Sequence, residues 1–120
     1  MIGRRGDATS SALRVRAARL FERLSPRRAE NWRRLRQLTD EVGAEVEAWG
    51  YDALDREGEE LPPITRQAHG CEHHWQVERW RRDANSDLHV CVDCWSPLPT
   101  LFGVKPSYVF IKQRDGGVRY

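Results

Sequence analysis

The chain has 120 residues and a formal net charge of +2, with 39% hydrophobic and 32% charged residues. This length allows one domain or two very small ones, and the polar composition leaves only a thin core. No apolar run approaches the roughly 20 residues of a membrane-spanning helix, and the N-terminus lacks the apolar segment of a secretory signal. We therefore expect no membrane association, and the three cysteines favour a reducing, cytoplasmic setting over a disulfide framework.

Charge is divided into blocks along the sequence. Residues 1–36 hold eleven arginines and three acidic residues, a net charge of +8. Residues 37–60 hold nine acidic residues and one arginine, a net charge of −8, and residues 61–120 carry +2. Such asymmetry predicts either that the basic block binds a polyanion or that the two blocks pair with each other.

The N-terminal half has the pattern of a basic arm followed by a helical hairpin. Residues 1–10 are polar and predict an arm, and apolar residues at helical spacing predict a first helix over 11–24. Ser25 followed by Pro26 predicts the start of a second helix that ends near Trp49. This second helix carries its arginines near the N-terminus and its acids near the C-terminus, against the macrodipole. An antiparallel first helix would compensate for this placement, and phosphate binding at the arginine-rich corner is the alternative.

The C-terminal half has the pattern of antiparallel strands. Alternating residues predict a strand over 75–82, a turn over 83–87 and a return strand over 88–91. Residues 107–112 give the strongest strand signal, and the glycines of 115–117 predict a turn into a short last strand. The expected segments are a flexible basic arm (1–10), a helical hairpin (11–58), a proline-containing linker (59–70) and a β domain (71–120).

All three cysteines lie in one stretch that has the spacing of a two-knuckle metal site. It reads C-E-H-H, then sixteen residues, then C-V-D-C. Zn²⁺ prefers such sulfur and nitrogen ligands, and four of them in two pairs predict a closed structural site. The predicted ligands of one structural zinc ion are Cys71, His74, Cys91 and Cys94. His73 is the main rival to His74, and His69 and His89 are further alternatives.

This stretch resembles the zinc-ribbon family of small zinc-binding folds. The resemblance covers Cys71 to about Lys112 and rests on the two knuckles and the hairpin between them. It implies that the four ligands hold the metal at the ends of β-hairpins, although Trp95 stands where ribbons commonly have glycine. The expected fold is therefore α+β, an N-terminal helical hairpin followed by a small zinc-stapled antiparallel β unit. Zinc ribbons serve many functions, so the resemblance does not select one.

Arginines in both halves form a candidate nucleic-acid site. The run from Arg79 to Arg82 interleaves a tryptophan with arginines, which suits a phosphate track with a stacking platform. The same arginines would also protect an exposed strand edge, which is the alternative interpretation. The predicted nucleic-acid-binding residues are Arg27, Arg28, Arg33, Arg34, Arg79, Trp80, Arg81 and Arg82.

No phosphate loop, nucleophile elbow or dinucleotide fingerprint occurs in the sequence, so we expect a protein that is not an enzyme. The leading interpretation is a zinc-binding adaptor associated with nucleic acid or a nucleoprotein complex. The alternative is a structural or assembly protein, in the style of short phage-encoded proteins, that binds protein partners through its helices and zinc unit. Expected partners are nucleic acid or an acidic protein surface, other proteins, and a second copy through the helices. The expected location is the cytoplasm, or a virion in the phage case.

Overall fold

A computed structural model gives the fold of the protein. It describes residues 25–56, 59–83 and 85–120, together with Leu13, Arg16 and Arg19, which are helical. The helices are α1 (Pro26–Glu47) and the single turn α2 (Tyr51–Leu54), and a short 3-10 turn spans Leu101–Gly103. The strands are β1 (Ile64–Ala68), β2 (Cys71–Trp80), β3 (Leu88–Trp95), β4 (Ser107–Lys112) and β5 (Val118–Arg119). None of the described helices is long and apolar enough to cross a membrane.

The five strands form one antiparallel meander in the order β1-β2-β3-β4-β5. β1 and β2 are joined by His69 and Gly70, whose φ angles of 52° and 79° are both left-handed. Two consecutive left-handed residues are the requirement of a two-residue hairpin turn whose twist matches that of the strands. The register is set by pairs such as Trp75 with Cys94 on β2 and β3.

α1 packs against one face of the sheet, so the protein has one layer of helix on one layer of strands. Alternate residues of each central strand point toward the helix, as the period of two in a strand requires. The core residues of α1 are Leu35, Val42 and Val46, and those of the sheet are Trp75, Val77, Leu88, Val90, Val92, Cys94 and Phe110. No described element covers the opposite face of the sheet, which we call the open face.

The predicted N-terminal helical hairpin is wrong. The described chain has one long helix, and the apolar stripe of α1 packs on the sheet instead of on a second helix. Residues 11–24, the predicted first helix, lie outside the described residues except for Leu13, Arg16 and Arg19. The coarser α+β class fits the observed mixture of helix and sheet.

The acidic end of α1 is compensated by the sheet. Lys112 is only 4% exposed, and its Nζ donates a hydrogen bond of 2.7 Å to the backbone carbonyl of Glu47. A cation at the last turn of a helix complements both the free carbonyls and the macrodipole. The carboxylate of Glu47 accepts hydrogen bonds from Tyr108 and Tyr120, and Glu45 forms an ion pair with Arg66. The acidic end of α1 is therefore compensated without a partner helix.

Several local predictions are confirmed. α1 begins at Pro26 and ends two residues before Trp49, and β4 covers the whole of 107–112. The return strand extends beyond its predicted end at Cys91, and the turn into β5 is present. β1 forms within the predicted linker 59–70. The arm 1–10 lies outside the described residues, and the division of the chain into domains stays a prediction.

Candidate functional site

The four predicted zinc ligands lie in continuous strands and do not converge. Cys91 and Cys94 are three residues apart on β3, so their side chains leave opposite faces of the sheet. Cys94 is buried toward α1 beside Thr39, and Cys91 lies on the open face. Cys71 and His74 are also three residues apart, on β2, and are divided between the two faces in the same way.

The zinc-ribbon interpretation is therefore wrong. A knuckle needs a turn that brings its two ligands together, whereas the alternating apolar residues of β3 keep this segment extended. Among the residues that the structure describes, no group of three or more His, Cys, Asp or Glu side chains could hold a metal ion. The four predicted ligands do not converge on one point, so this geometry does not support the zinc site, and zinc binding stays a prediction.

His73, the rival ligand, is a core histidine whose two ring nitrogens are both occupied. Its side chain is fully buried, with Nε2 2.8 Å from the carbonyl oxygen of Ala68 and Nδ1 2.7 Å from the hydroxyl of Ser96. Because a carbonyl only accepts, Nε2 donates the hydrogen bond to Ala68, and Nδ1 shares a hydrogen bond with the serine hydroxyl. His73 therefore ties the β1–β2 turn to the segment that follows β3.

Two arginines of the predicted nucleic-acid patch are engaged within the protein. Arg79 donates hydrogen bonds to the backbone carbonyls of Arg56 and Glu59. Arg81 forms an ion pair with Asp55 in which both side chains are mostly buried. Both contacts tie the segment after α2 to β2, which is a structural role for these guanidinium groups.

The predicted nucleic-acid residues do not form one surface. Trp80 leaves β2 on the face opposite to Arg79. α1 begins near the end of β3, where Asn31 donates a hydrogen bond of 2.8 Å to the carbonyl of Pro99, and it ends near the start of β3. Roughly 24 Å of helix, at 1.5 Å per residue, separates the contact at Asn31 from the contact at Glu47. The helix arginines are thus remote from the run 79–82.

The arginines at the start of α1 differ among themselves. Arg27 and Arg28 are exposed in the first turn, as is Arg82 in the turn after β2. Arg33 and Arg34 lie 3.3 Å and 3.5 Å from the carboxylate of Glu30, so both are partly neutralised by it. Because these pairs are exposed, each contributes little to stability.

The open face combines exposed apolar groups with negative charge. Its side chains on the three central strands are Glu72, His74, Gln76, Glu78 and Trp80 on β2, His89, Cys91, Asp93 and Trp95 on β3, and Ser107, Val109 and Ile111 on β4. Trp80, Trp95 and Val109 are 49%, 56% and 53% exposed. Strands β1 to β4, all of them described, place no lysine or arginine on this face. Arg119 of β5 lies at its margin, 3.9 Å from Asp87.

Each tryptophan of the open face stacks on a histidine of the neighbouring strand. The ring centroids of Trp80 and His89 are 5.6 Å apart with an interplanar angle of 16°, and those of Trp95 and His74 are 6.1 Å apart at 2°. Both pairs are directly opposite in the β2–β3 register, the arrangement in which cross-strand side chains stabilise each other. The stacking fixes each indole as a rigid, half-exposed platform.

The two platforms come from a short repeat that our sequence analysis missed. The pattern H-x-x-V-[D/E]-x-W occurs once in β2 and once in β3, fifteen residues apart. It supplies His74, Glu78 and Trp80 from β2 and His89, Asp93 and Trp95 from β3. Val77 and Val92 are paired at the centre, so a local two-fold axis through this pair relates the two copies. The recurrence of these residue types is the sequence signal that could have identified this site.

Cys91 occupies the middle of the open face as a neutral thiol. Burial raises the pKa of Cys91 to about 12, helped by a hydrogen bond to Asp93 and by the nearby charge of Glu78. The Sγ atom lies 3.3 Å from the Asp93 carboxylate. At neutral pH the thiol is therefore protonated, and the charge of this face comes from its carboxylates.

Comparisons with known proteins identify no relative of this chain. No family model matches it, and neither a curated protein nor a solved structure does. Its function is therefore inferred from the residues of the open face and of α1.

Proposed function

We propose that the protein is a non-enzymatic assembly or adaptor protein that binds a positively charged segment of a partner protein on the open face. The observation that carries this proposal is the composition of that face. Trp80, Trp95 and Val109 offer apolar contact, and tryptophan is enriched at protein interfaces. Glu78 and Asp93 add negative charge beside each platform.

The negative charge of the open face favours a positively charged partner. Carboxylates attract cationic groups at close range, and the face of an indole ring also attracts cations. A nucleic acid would meet like charges on this face, and so would the same face of a second copy. A basic protein segment is the occupant that satisfies both the platforms and the carboxylates.

The proposal is tested with poly-L-lysine and poly-L-glutamate as fluorescent probes for the full chain across a salt series. We expect poly-L-lysine to bind, with an affinity that falls as salt rises, because exposed charges are screened. The double variant Glu78→Lys with Asp93→Lys should lose this binding. The variant Glu41→Lys with Asp52→Lys changes the net charge equally at exposed helical positions and should retain it. Unchanged binding in the open-face variant, or no binding of poly-L-lysine at low salt, would refute the proposal.

A second candidate function, nucleic-acid binding, is supported by Arg27 and Arg28. Both are exposed in the first turn of α1, where the positive end of the helix dipole also favours phosphate. We propose the variant Arg27→Glu with Arg28→Glu as its test, against a DNA duplex and an RNA strand in a salt series. A steep loss of affinity with salt that the variant abolishes would support it. No binding at low salt would refute it. The cellular compartment, cytoplasm or virion, stays a prediction.

A further inference from the structure

The repeat on β2 and β3 builds two equivalent half-sites on the open face. Each half-site has a tryptophan platform, a histidine stacked against it, and a carboxylate two residues before the tryptophan on the same strand. Resting on the proposed function, we infer that the bound segment presents two arginine side chains about 20 Å apart, one to each half-site, at the spacing given by 3.3 Å per strand residue.

Each half-site suits a guanidinium group better than an ammonium group. Glu78 and Trp80 lie on the same face of β2, and residues two apart on a strand are separated by about 6.6 Å. A guanidinium is planar, so it stacks flat on an indole while its N–H groups point sideways toward a carboxylate. The ammonium group of lysine is a compact charge without a planar surface. It cannot stack flat on the indole and at the same time direct N–H groups sideways toward the carboxylate. Asp93 and Trp95 repeat this arrangement on β3.

The register of the strands fixes the distance between the half-sites. Trp95 is opposite His74, which is six residues before Trp80 on β2. Six strand residues span about 20 Å, and an extended peptide covers the same length with six residue steps. The segment that fits is therefore extended and has the pattern R-x5-R.

Two half-sites on one rigid sheet should act together. Once the first arginine is bound, the second is held near its platform at a high effective concentration, and such linkage raises affinity by about 10²-fold or more when the spacing matches. A segment whose arginines are too close engages one half-site only and loses this gain. Spacing is therefore the property that separates this inference from general attraction to positive charge.

The test measures binding of synthetic peptides to the full chain by fluorescence anisotropy. Three probes present the patterns R-x5-R, R-x2-R and K-x5-K in a glycine-serine background. A fourth probe is the R-x5-R peptide with citrulline in place of both arginines. We expect R-x5-R to bind at least about tenfold more tightly than R-x2-R, K-x5-K to be weaker, and the citrulline peptide not to bind. Equal affinity for R-x5-R and R-x2-R, or for R-x5-R and K-x5-K, would overturn the inference.

Matched variants locate the binding on the two platforms. Trp80→Ala and Trp95→Ala should each reduce the affinity for R-x5-R to that of R-x2-R, and by similar factors. Phe102→Ala is the control, because this side chain is 70% exposed and lies outside the open face. Circular dichroism confirms that each variant is folded. Tryptophan variants that leave R-x5-R binding unchanged would exclude the platforms as its site.

The outcomes separate this inference from the proposed function. If R-x5-R shows no advantage but poly-L-lysine still needs Glu78 and Asp93, the arginine assignment fails and the basic-partner proposal survives. If neither probe depends on these carboxylates, both fail. A peptide with the sequence of residues 1–24 of this chain, which is itself arginine-rich, is tested as one further probe. If that peptide binds more tightly than R-x5-R, the occupant of the open face is a second copy of this chain and not a partner protein.

Discussion

A Cβ atom at position 43 would lie 2.3 Å from Cγ of Tyr108. Such a contact is far inside van der Waals range, so the tyrosine ring of β4 occupies the space that a side chain on α1 would need. The close approach also lets the Tyr108 hydroxyl donate a hydrogen bond of 2.6 Å to Glu47, one helical turn further along. Glycine costs a helix about 1 kcal/mol relative to alanine, and the packing of α1 on the sheet explains its presence here.

Gly43→Ala should therefore destabilise the protein although alanine is the better helix former. Forcing extra volume into a packed contact costs about 1–3 kcal/mol, which exceeds the gain in helix propensity. Urea denaturation monitored by tryptophan fluorescence measures the change. Gly50→Ala is the matched control, because nothing lies within 4 Å of a Cβ at that position. A Gly43→Ala protein as stable as the Gly50→Ala protein would contradict the close approach.

The buried hydrogen bond between α1 and β2 gives a second prediction. Nε1 of Trp75 donates to the Thr39 hydroxyl at 2.9 Å, and both side chains are fully buried. Thr39→Val keeps the shape but removes the acceptor, and an unsatisfied buried donor costs about 1–3 kcal/mol. The same change at exposed Thr65 should be nearly neutral. Thermal denaturation of the two variants makes the comparison, and equal melting temperatures would exclude an energetic role for this bond.

Alkaline pH should lower the stability of the folded protein. Burial raises the pKa of Cys91 to about 12 from its ordinary value of 9.0, and burial together with the hydrogen bond to Glu47 raises the pKa of Tyr108 above 10.0. Above pH 9 the unfolded chain therefore binds fewer protons than the folded chain, so the free energy of unfolding falls as pH rises.

Urea midpoints measured between pH 7 and 10.5 should show this decline. Tyr108→Phe removes one of the groups whose pKa is raised in the folded chain, and we expect a shallower dependence on pH in that variant. Stability that is constant or rising over this range would show that these groups ionise as freely in the folded chain as in the unfolded one.

Metal chelation should leave the fold intact. The predicted ligands are divided between two faces of the sheet, so no structural metal is needed to hold β2 against β3. We expect the melting temperature to be the same with and without EDTA, and the same for Cys91→Ser. A zinc-dependent fold behaves differently, because removal of its metal unfolds the chain. A large drop with EDTA, together with one zinc per chain by metal analysis, would contradict the geometry.

The sequence was sufficient to predict most helix and strand positions, but it did not show which elements pack against each other. Helix and strand positions follow from periodicity, proline and glycine, which act within a few residues. The apolar stripe of α1, including Leu35 and Val42, is the same whether a helix or a sheet covers it. Two cysteines three residues apart likewise suit both a metal knuckle and a strand. The alternation of Leu88, Val90 and Val92 through this stretch favoured the strand, and it outweighed the cysteine spacing.

The open face was only partly accessible to prediction. Its repeat is visible in the sequence, because the letters recur fifteen residues apart. The stacking of each tryptophan on the histidine of the other strand depends on the β2–β3 register, which pairs Trp80 with His89. A shift of one residue would move every side chain of one strand to the other face. That register is a property of the folded sheet and its turns, so residue types alone did not reveal the platforms.

The local two-fold axis between Val77 and Val92 has a consequence for orientation. A polypeptide has a direction from N-terminus to C-terminus, whereas a surface with this symmetry presents the same groups when it is turned by 180°. A segment that lies across the axis meets a tryptophan and a carboxylate at each end whichever way it runs. A peptide and its reversed sequence should therefore bind alike, and the protein would recognise its partner by the interval between two side chains and not by chain polarity.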